Sequence, residues 1–371
     1  MRKFNGKKAG IICGVALASF TSYALLDTFV IPHPMQTVSG QNLEANGISL
    51  NEDESTEVQN AYADGENQDQ NYYADGKNQE QNTFSQENTS SDGFAQNNEN
   101  TENIDKSDEN SSNQSFGSSS GTSRSASGTV IGTYSDSESK ITLTQYRAYN
   151  SNIYVADVEV TEGTSILSAF ANNTYGRNIT DTTSNMAEEN NAVLAINGDY
   201  YGARQSGYVI RNGVVYRNQG NNGEDMVISK DGTLSFISES ETSTDSLIQN
   251  QAWQVLSFGP VLVENGQVAV SENDEVGMAM ASNPRTAIGT VAKNHYLFVV
   301  SDGRTSESAG LSLYELANFM KSLGATNVYN LDGGGSSTMV FQGEVVNNPT
   351  TNGNRISERA VSDILYIGKS S

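Results

Sequence analysis

Residues 312–343, SLYELANFMKSLGATNVYNLDGGGSSTMVFQG, predict a helix, a buried strand, a glycine loop and a second strand in succession. Ser312 followed three residues later by Glu315 is the signature of a capping box, which marks the start of a helix. Apolar residues then recur at intervals of three and four, so the helix has one apolar face, and Gly324 ends it. The next strand ends at Asp332.

The loop after this strand combines a carboxylate, three glycines and two hydroxyls. It consists of Asp332, Gly333, Gly334, Gly335, Ser336 and Ser337. Glycine costs conformational entropy on folding and is used where the backbone needs a positive φ or a close approach to another group. Bare amides and hydroxyls beside a carboxylate suit a polar or anionic ligand. The alternative is a tight strand-to-strand turn that Asp332 caps.

Composition narrows the chemistry that the chain can perform. The 371 residues include one cysteine and two histidines and carry a formal net charge of −23. Cys13 lies in the N-terminal apolar run, so no disulfide or thiol chemistry is expected in the rest of the chain. His295 lies in a strand-like run and predicts a packed polar residue, which disfavours a Ser-His-Asp triad or a histidine zinc site. No basic stripe is present, so no nucleic-acid partner is expected.

Residues 1–35 predict a cytoplasmic basic tip and a transmembrane signal anchor. Basic residues precede an apolar run from 9 to 26, and such residues stay on the cytoplasmic side. A run of about 18 residues is the short end of the range for a spanning helix. Cleavage near Ala24 is the alternative and would give a secreted form. Both readings place the rest of the chain outside the cytoplasm, and we expect a single-pass protein of the cell membrane.

Residues 36–128 predict a disordered acidic spacer. The segment is rich in Asn, Gln, Ser and acidic residues and contains an imperfect repeat, YADGENQDQN and YADGKNQEQN. Too few apolar side chains are present to offset the chain entropy of folding. We therefore expect the spacer to hold the following domain away from the membrane.

Residues 129–371 predict one α+β domain with a mixed β-sheet, several hairpins and a few helices. Asn-Gly and Asp-Gly dipeptides at 212–213, 231–232 and 265–266 mark hairpin turns. Strict βαβ alternation is absent, although residues 305–323 are long enough to connect parallel strands.

Three continuous apolar runs end in a polar residue, a glycine and further polar residues. These ends are Asn197-Gly-Asp199, Asp302-Gly-Arg304 and Asp332-Gly-Gly-Gly. If the strands are neighbours in one sheet, their ends converge at one edge and form a pocket. The alternative is that Asn-Gly and Asp-Gly are ordinary turn dipeptides.

Six motifs in order resemble the phosphodiester glycosidase family. They are NGDYYG, NPRTAIG, VVSDGR, NLDGGGSSTMV, VVNNP and ERAVSDILYIG. The resemblance covers roughly residues 129–368 and is clearest from 192 onward. It implies hydrolysis of a sugar-1-phosphodiester at the anomeric carbon, and the anchor and spacer are similar to those of relatives associated with exopolysaccharide or the cell wall. A phosphoglycan or cell-surface polysaccharide is therefore the expected substrate, with the membrane contacted through the N-terminal helix.

The resemblance implies candidate residues for each part of this reaction. Arginine can bind two phosphate oxygens with its planar fork, and Arg285, Arg304 and Arg359 lie in the motifs. The alternative for each arginine is a structural salt bridge with Asp302 or Glu358.

Asp332 is the first candidate for the catalytic carboxylate, and Glu358 is the second. A phosphate leaving group is a weak base, so one carboxylate acting as nucleophile or general base can suffice. Asp302 and Asp199 are expected to support the site by orienting an arginine or a sugar hydroxyl.

The remaining candidates would bind the substrate. The amides of Gly333 and Gly334, with the hydroxyls of Ser336 and Ser337, would donate to phosphate or sugar oxygens. Asn197 and Asn347 would bind sugar hydroxyls or an acetamide. No cofactor is required by the sequence, and a divalent cation is left open because several carboxylates share the expected pocket.

Two other functions fit the same residues. A metal-dependent phosphodiesterase would cut the P–O bond of a teichoic-acid-like polymer and lose activity with a chelator. A non-catalytic exopolysaccharide-binding or assembly protein would bind phosphoglycan without forming a product.

Overall fold

The computed structural model describes residues 17–27, 30–37, 128–274 and 282–370. Residues 17–27 are helical, whereas the basic tip and the first half of the apolar run lie outside the described residues. The spacer from 38 to 127 also lies outside them, so the predicted anchor and spacer stay predictions. Among the helices of the described ranges, none combines the length and apolar character needed to cross a membrane.

Besides the helical residues 17–27, the described ranges contain three α-helices and a larger number of short strands. The helices are α1 (Thr183–Glu189), α2 (Thr244–Gln249) and α3 (Leu313–Ser322). The strands in chain order are β1 (His33–Thr37), β2 (Thr129–Ser135), β3 (Ser139–Ala148), β4 (Ser151–Val160), β5 (Leu167–Phe170), β6 (Thr174–Arg177), β7 (Ala192–Asn197), β8 (Val209–Arg211), β9 (Val214–Arg217), β10 (Glu224–Ser229), β11 (Leu234–Ser238), β12 (Ala252–Leu256), β13 (Val261–Glu264), β14 (Gln267–Val268), β15 (Arg285–Ala292), β16 (His295–Ser301), β17 (Asn327–Asn330), β18 (Met339–Phe341), β19 (Glu344–Val345) and β20 (Asp363–Gly368).

These strands form three larger sheets and one two-stranded pair. The largest sheet has eight strands in the order β14-β13-β17-β15-β16-β4-β3-β2. Two five-stranded sheets have the orders β19-β18-β7-β20-β5 and β11-β10-β12-β8-β9, and β1 pairs with β6. The preponderance of strands over a few helices confirms the α+β class.

The prediction of a mixed sheet is wrong for the described strands, whose pairings are all antiparallel. The predicted crossover does connect two strands of like direction, β16 and β17. However, β15 lies between them and pairs antiparallel with both. The crossover therefore skips one strand position instead of creating a parallel neighbour.

The core follows from the alternation of side chains along the strands. In β16, Tyr296 and Phe298 face a core shared with the two five-stranded sheets, whereas Leu297 and Val299 face a second core. The apolar face of α3 covers this second core through residues such as Leu316. Because successive side chains of a strand point to opposite faces, the central strand is buried on both sides. The eight-stranded sheet is therefore held between the helix and the other sheets.

The capping box predicted at the start of α3 is present. The side chain of Ser312 accepts a hydrogen bond from the amide of Glu315 at 3.1 Å, and the Glu315 carboxylate accepts one from the amide of Ser312 at 2.9 Å. These bonds satisfy amides that the first turn of a helix leaves without partners. They fix the position where α3 begins and hence the path that brings β17 beside β15.

Candidate active site

Strand ends from two different sheets meet at the candidate site. Asn197 ends β7 in a five-stranded sheet, whereas Asp332 follows β17 in the eight-stranded sheet. The side-chain amide of Asn197 donates to the main-chain oxygen of Asp332 at 2.6 Å, and the amide of Asp332 donates to the oxygen of Gly198 at 3.3 Å. The strand ends therefore converge as expected, but across two packed sheets instead of along the edge of one.

Asp332 lies at the centre of this meeting point and is mostly buried. Its side chain is 13% exposed, and its Oδ2 accepts a hydrogen bond from Oγ of Ser336 at 2.6 Å. The guanidinium of Arg359 lies 3.2 Å from the same oxygen. Burial raises the pKa of the Asp332 carboxyl, and the charge of Arg359 and the Ser336 hydroxyl act in the opposite direction. The environment thus combines a desolvated carboxylate with one cation that favours its charged form.

Arg359 connects Asp332 to the glycine loop. It donates to Oγ of Ser336 from Nε at 2.9 Å and from Nη2 at 2.6 Å. Nη2 also lies 3.1 Å from the main-chain oxygen of Gly333. The side chain of Arg359 is nevertheless 41% exposed, whereas that of Asp332 is only 13% exposed. The guanidinium is therefore oriented by the loop and still open to a ligand.

Two other groups approach the backbone of the glycine loop so closely that side chains would not fit there. Gly334 has φ = 63°, and a Cβ at this position would lie 2.9 Å from Nη2 of Arg304. A Cβ on Gly335 would lie 2.5 Å from Oγ1 of Thr351. Contacts this short exclude a side chain unless the neighbour moves. The loop is thus more than a tight turn, because its lack of side chains lets an arginine and a second loop pack against its backbone.

Arg304 is the second arginine beside this loop. Its Nε donates to the side-chain oxygen of Asn283 at 3.0 Å, and its Nη1 donates to the main-chain oxygen of Thr351. Burial lowers its pKa, and the positive charge of Arg359 lowers it further. Two guanidinium groups therefore lie against the same glycine loop, and their positive charges favour the binding of an anion there.

Asp302 and Asn347 are brought together, but their polar atoms bond to each other and to the backbone. Asp302 accepts hydrogen bonds from the amide of Asn348 at 2.7 Å and from the side chain of Asn347 at 3.3 Å. Asn347 also accepts from the amide of Met339 and donates to the main-chain oxygen of Ser337. Burial raises the pKa of the Asp302 carboxyl. These contacts join two loops and give no direct support to the ligand role predicted for Asn347.

Asn197 and Asp199 likewise hold the backbone in place. Asn197 is fully buried, and its side-chain oxygen accepts from Oγ1 of Thr286 at 2.8 Å. Asp199 is 2% exposed and accepts from Nη2 of Arg211 at 2.9 Å and from the amide of Ser257 at 3.0 Å. Asp199 thus contacts Arg211, an arginine that is not among the predicted candidates, and its predicted role in the site stays a prediction.

Three further candidates are not brought to Asp332 by the contacts described. Arg285 is 3% exposed, and its Nε donates to the main-chain oxygen of Leu311 at 2.9 Å. Glu358 accepts from the amide and the hydroxyl of Ser184 at 3.0 and 2.5 Å, which places it at the start of α1. The Ser337 hydroxyl is buried and has no hydrogen-bond partner among the described residues. The described contacts therefore place Asp332 against the Arg359 guanidinium and Glu358 against Ser184.

A buried ion bridge that the sequence does not predict joins Arg211 to Asp199 and Asp363. Arg211 is 1% exposed and bonds Asp199 with Nη2, while its Nε donates to Asp363 at 2.8 Å. Burial raises the pKa of Asp363 to about 7, with the charges of Asp199 and Asp332 adding to the effect and that of Arg211 opposing it. An arginine next to an Asn-Gly turn is typical of an exposed hairpin, so the local sequence gives no sign of this bridge.

One family model and several known proteins match part of this chain. Residues 190–368 match the model of the phosphodiester glycosidase family. The SPbeta prophage-derived uncharacterized protein YomE of Bacillus subtilis is 31% identical over 201 residues, which are 52% of this chain and 30% of that protein. Human N-acetylglucosamine-1-phosphodiester alpha-N-acetylglucosaminidase is 33% identical over 137 residues, which are 33% of this chain and 26% of the human protein. The matches thus span less than a third of these curated relatives.

A similar fold is found among solved structures. The catalytic domain of the zebrafish N-acetylglucosamine-1-phosphodiester alpha-N-acetylglucosaminidase superposes with a TM-score of 0.51 and 23% identity. The superposition covers 66% of this chain and 88% of the zebrafish domain. At this identity the likeness concerns the fold alone.

Proposed function

We propose, from the match of residues 190–368 to the phosphodiester glycosidase family, that this domain hydrolyses sugar-1-phosphodiesters. The observation that carries the proposal is the arrangement of one desolvated carboxylate, Asp332, with Arg359 and Arg304 around a bare glycine backbone. A sugar-1-phosphodiester needs both parts of this arrangement. Its anionic phosphate needs cationic donors, and its anomeric carbon needs a carboxylate nearby.

The arginines would bind the phosphate and stabilise the charge it gains on leaving. Arg359 is already oriented by Ser336 and by the backbone, so little reorganisation is needed when the substrate arrives. Arg304 is fixed by Asn283 and the loop at Thr351. Both guanidiniums are planar and carry several N–H donors, which suits a phosphodiester better than a single lysine would.

Asp332 would act at the anomeric carbon in one of two ways. As a general base it takes a proton from water while the water oxygen bonds to C1 and the C1–O bond to phosphate breaks. As a nucleophile it bonds to C1 itself, and water then hydrolyses the glycosyl ester. In both cases the electron pair of the broken bond leaves on the phosphate oxygen, which remains as a phosphomonoester. Because that oxygen is weakly basic, no second carboxylate is required to protonate it.

An N-acetylglucosamine-1-phosphodiester is the first substrate to test. The human relative is named for this activity, and its similarity covers a third of this chain. We extend the proposal to a surface polysaccharide or glycopolymer as the physiological substrate, with the chain anchored in the cell membrane and the domain outside the cytoplasm. The support is the basic tip, the apolar run and the long polar spacer of the sequence. Fractionation of cells, followed by protease treatment of intact protoplasts, tests this arrangement.

The test of the activity uses the full chain with UDP-GlcNAc and a simple GlcNAc-1-phosphodiester, with and without chelator. We expect free GlcNAc from the wild type and a loss of roughly 10²–10⁴-fold in rate for Asp332→Asn. Asp231→Asn is the matched control, since Asp231 is an exposed carboxylate paired with Lys293 on a hairpin. Sugar-1-phosphate as the product would instead identify a phosphodiesterase. Binding of phosphoglycan without any product would identify a non-catalytic binding protein.

A further inference from the structure

An open groove lies beside the start of α3, outside the candidate active site. Its volume is about 570 Å³. Its walls are formed by two tyrosines and four polar residues, namely Tyr149, Tyr314, Glu272, Ser312, Glu315 and Asn318. Tyr149 is 40% exposed, and Tyr314 is half-buried. The groove therefore presents aromatic rings and hydrogen-bonding groups together in a place that a ligand can reach.

Tyr149 occupies a turn position that suits a tyrosine poorly. It lies with Asn150 in the two-residue turn between β3 and β4, whose last pair is Ala148 with Ser151. The φ angles of the two turn residues are 48° and 53°, as in a type I′ turn, for which asparagine and glycine are preferred. A bulky side chain in this left-handed region crowds its own backbone. The turn itself therefore gives no reason for an aromatic ring that remains partly exposed in the groove.

The polar side chains of the groove retain hydrogen-bonding capacity beyond their own contacts. Oγ of Ser312 accepts from the amide of Glu315, so the Ser312 O–H remains a donor. Oε2 of Glu315 accepts from the amide of Ser312, which leaves Oε1 as an acceptor. The side-chain amide of Asn318 donates to the main-chain oxygen of Tyr314 at 2.8 Å and keeps a second N–H and its oxygen. Donors and acceptors thus surround the two aromatic rings.

This combination fits a pyranose sugar. One face of a pyranose ring consists of C–H groups that pack against an aromatic ring, whereas its rim carries hydroxyls that need hydrogen-bond partners. The carboxylates of Glu272 and Glu315 disfavour a negatively charged group such as a phosphate. The ligand that fits best is therefore an uncharged part of a glycan, in contrast to the phosphate expected at Arg304 and Arg359.

The groove is connected to Arg304 of the candidate active site by short hydrogen-bonded paths. The amide of Ala309 donates to the oxygen of Asn150 at 3.1 Å, and the amide of Arg304 donates to the oxygen of Ala309 at 3.3 Å. Leu311, which precedes the cap of α3, exchanges main-chain hydrogen bonds with Asn283, whose side chain accepts from Arg304. One residue and two hydrogen bonds separate the main chains of Asn150 and Arg304, a span of about 10 Å. A short oligosaccharide can span that distance.

We propose that the groove of Tyr149 and Tyr314 binds neutral pyranose units of the glycan whose phosphodiester enters the candidate active site. Tyr149 packs against the face of a sugar ring, while Ser312, Glu315 and Asn318 bind its hydroxyls. The groove would hold the polymer while the sugar-1-phosphodiester occupies the candidate active site. The link between the two sites rests on the proposed function, whereas the binding of sugar in the groove does not.

The first measurement is the binding of neutral tetrasaccharides to the full chain by saturation-transfer NMR. The probes are chitotetraose, cellotetraose and maltotetraose, and we expect at least one of them to bind the wild type with a millimolar or lower Kd. Tyr149→Asn should weaken that binding roughly fivefold or more, because a packed ring is lost. Tyr149→Phe keeps the ring and should bind within about twofold of the wild type.

The thermal stability of the same variants separates a binding role from a structural one. Because asparagine suits a type I′ turn, Tyr149→Asn should keep or raise the Tm of the protein while it weakens sugar binding. Gln342→Asn is the matched control, since Gln342 is exposed and has φ = 51° in the turn between β18 and β19. This control should bind the tetrasaccharide as the wild type does.

The second measurement compares two substrates. With a simple GlcNAc-1-phosphodiester, Tyr149→Asn should keep its kcat/KM within about twofold of the wild type, because this small substrate does not extend to the groove. With GlcNAc-1-phosphate linked as a diester to the tetrasaccharide that binds, the variant should raise KM roughly fivefold at unchanged kcat.

Two results would overturn the proposal. One is a wild type that binds none of the tetrasaccharides at millimolar concentration. The other is a Tyr149→Asn variant that binds the sugar as tightly as the wild type does. Sugar binding that Tyr149→Asn weakens, without release of GlcNAc from the simple phosphodiester, would uphold the groove as a glycan site and contradict the proposed function alone.

Discussion

The side-chain amide of Asn197 lies 2.6 Å from the main-chain oxygen of Asp332, and this hydrogen bond joins the ends of strands from two sheets. Because both groups are buried, the bond sets the distance between the sheets at the point where the candidate catalytic carboxylate begins. The side chain of Asp332 takes no part in this bond and instead contacts Ser336 and Arg359. The site is therefore assembled by backbone-directed bonds, and its chemistry rests on a small number of side chains.

Ser336→Ala should lower the rate of sugar release, whereas Ser337→Ala should not. The Ser336 hydroxyl donates to Asp332 and accepts from Arg359, so its removal loosens both groups. We expect a roughly 10–10²-fold decrease in kcat/KM for Ser336→Ala, measured as free GlcNAc, because misplaced catalytic groups lose much of their effect. The Ser337 hydroxyl has no partner among the described residues, so its loss should cost no stability. An equal decrease for Ser337→Ala would show that this hydroxyl contacts the substrate, as the sequence predicts.

Gly334→Ala should damage activity more than its matched control, Gly343→Ala. Both glycines have positive φ, 63° and 89°, so both variants carry a backbone cost of about 1 kcal/mol. A Cβ on Gly334 would also lie 2.9 Å from Arg304, whereas a Cβ on Gly343 meets nothing within 4 Å. We therefore expect similar decreases in Tm, but a decrease in kcat/KM of roughly 10²-fold for Gly334→Ala alone. Equal activity in the two variants would contradict the role given to Arg304.

Arg359→Met should move the acid limb of the pH–rate profile to higher pH. Burial raises the pKa of Asp332, and the charge of Arg359 holds that rise in check. Since the reaction needs the ionised carboxylate, activity is lost as the pH falls through the pKa of Asp332 in the folded protein. Without Arg359 that pKa is higher, so the loss begins at a higher pH. The measurement is kcat/KM against pH. Arg355→Met is the control, because Arg355 is exposed and its substitution removes the same charge. If the acid limb of the profile does not move in Arg359→Met, the rate does not depend on the ionisation of Asp332.

Arg211→Met should destabilise the fold strongly. Its removal leaves Asp199 and Asp363 buried without their shared cation, which costs about 3–5 kcal/mol in comparable buried pairs. Urea denaturation gives the change in the free energy of unfolding. Lys293→Met is the control, since Lys293 and Asp231 form an ion pair that is 58% and 55% exposed and is screened by water. Similar losses in both variants would mean that the buried bridge contributes no more than a surface pair.

Much of the candidate site is predictable from the sequence because its residues are consecutive or lie in motifs. The strand, the carboxylate and the glycines of residues 327–335 form a local pattern, and the structure brings Asp332, Arg304 and Arg359 together around it. The α+β class and the capped helix α3 also follow from local periodicity and capping. These features depend on interactions between residues close in sequence.

Only the tertiary structure decided how the strand ends meet and which charges lie together. The strand directions in the sheets depend on β15 inserting between β16 and β17, and no local pattern specifies that insertion. Glu358 and Arg359 are adjacent in the chain, but Glu358 accepts a hydrogen bond from Ser184 whereas Arg359 contacts Asp332. The bridge of Arg211 to Asp363 likewise joins segments distant in sequence. Sequence by itself determined which groups are available for chemistry, because their identity and local conformation are encoded nearby. Their partners were decided by long-range packing, because contacts between distant segments exist only once the sheets have formed.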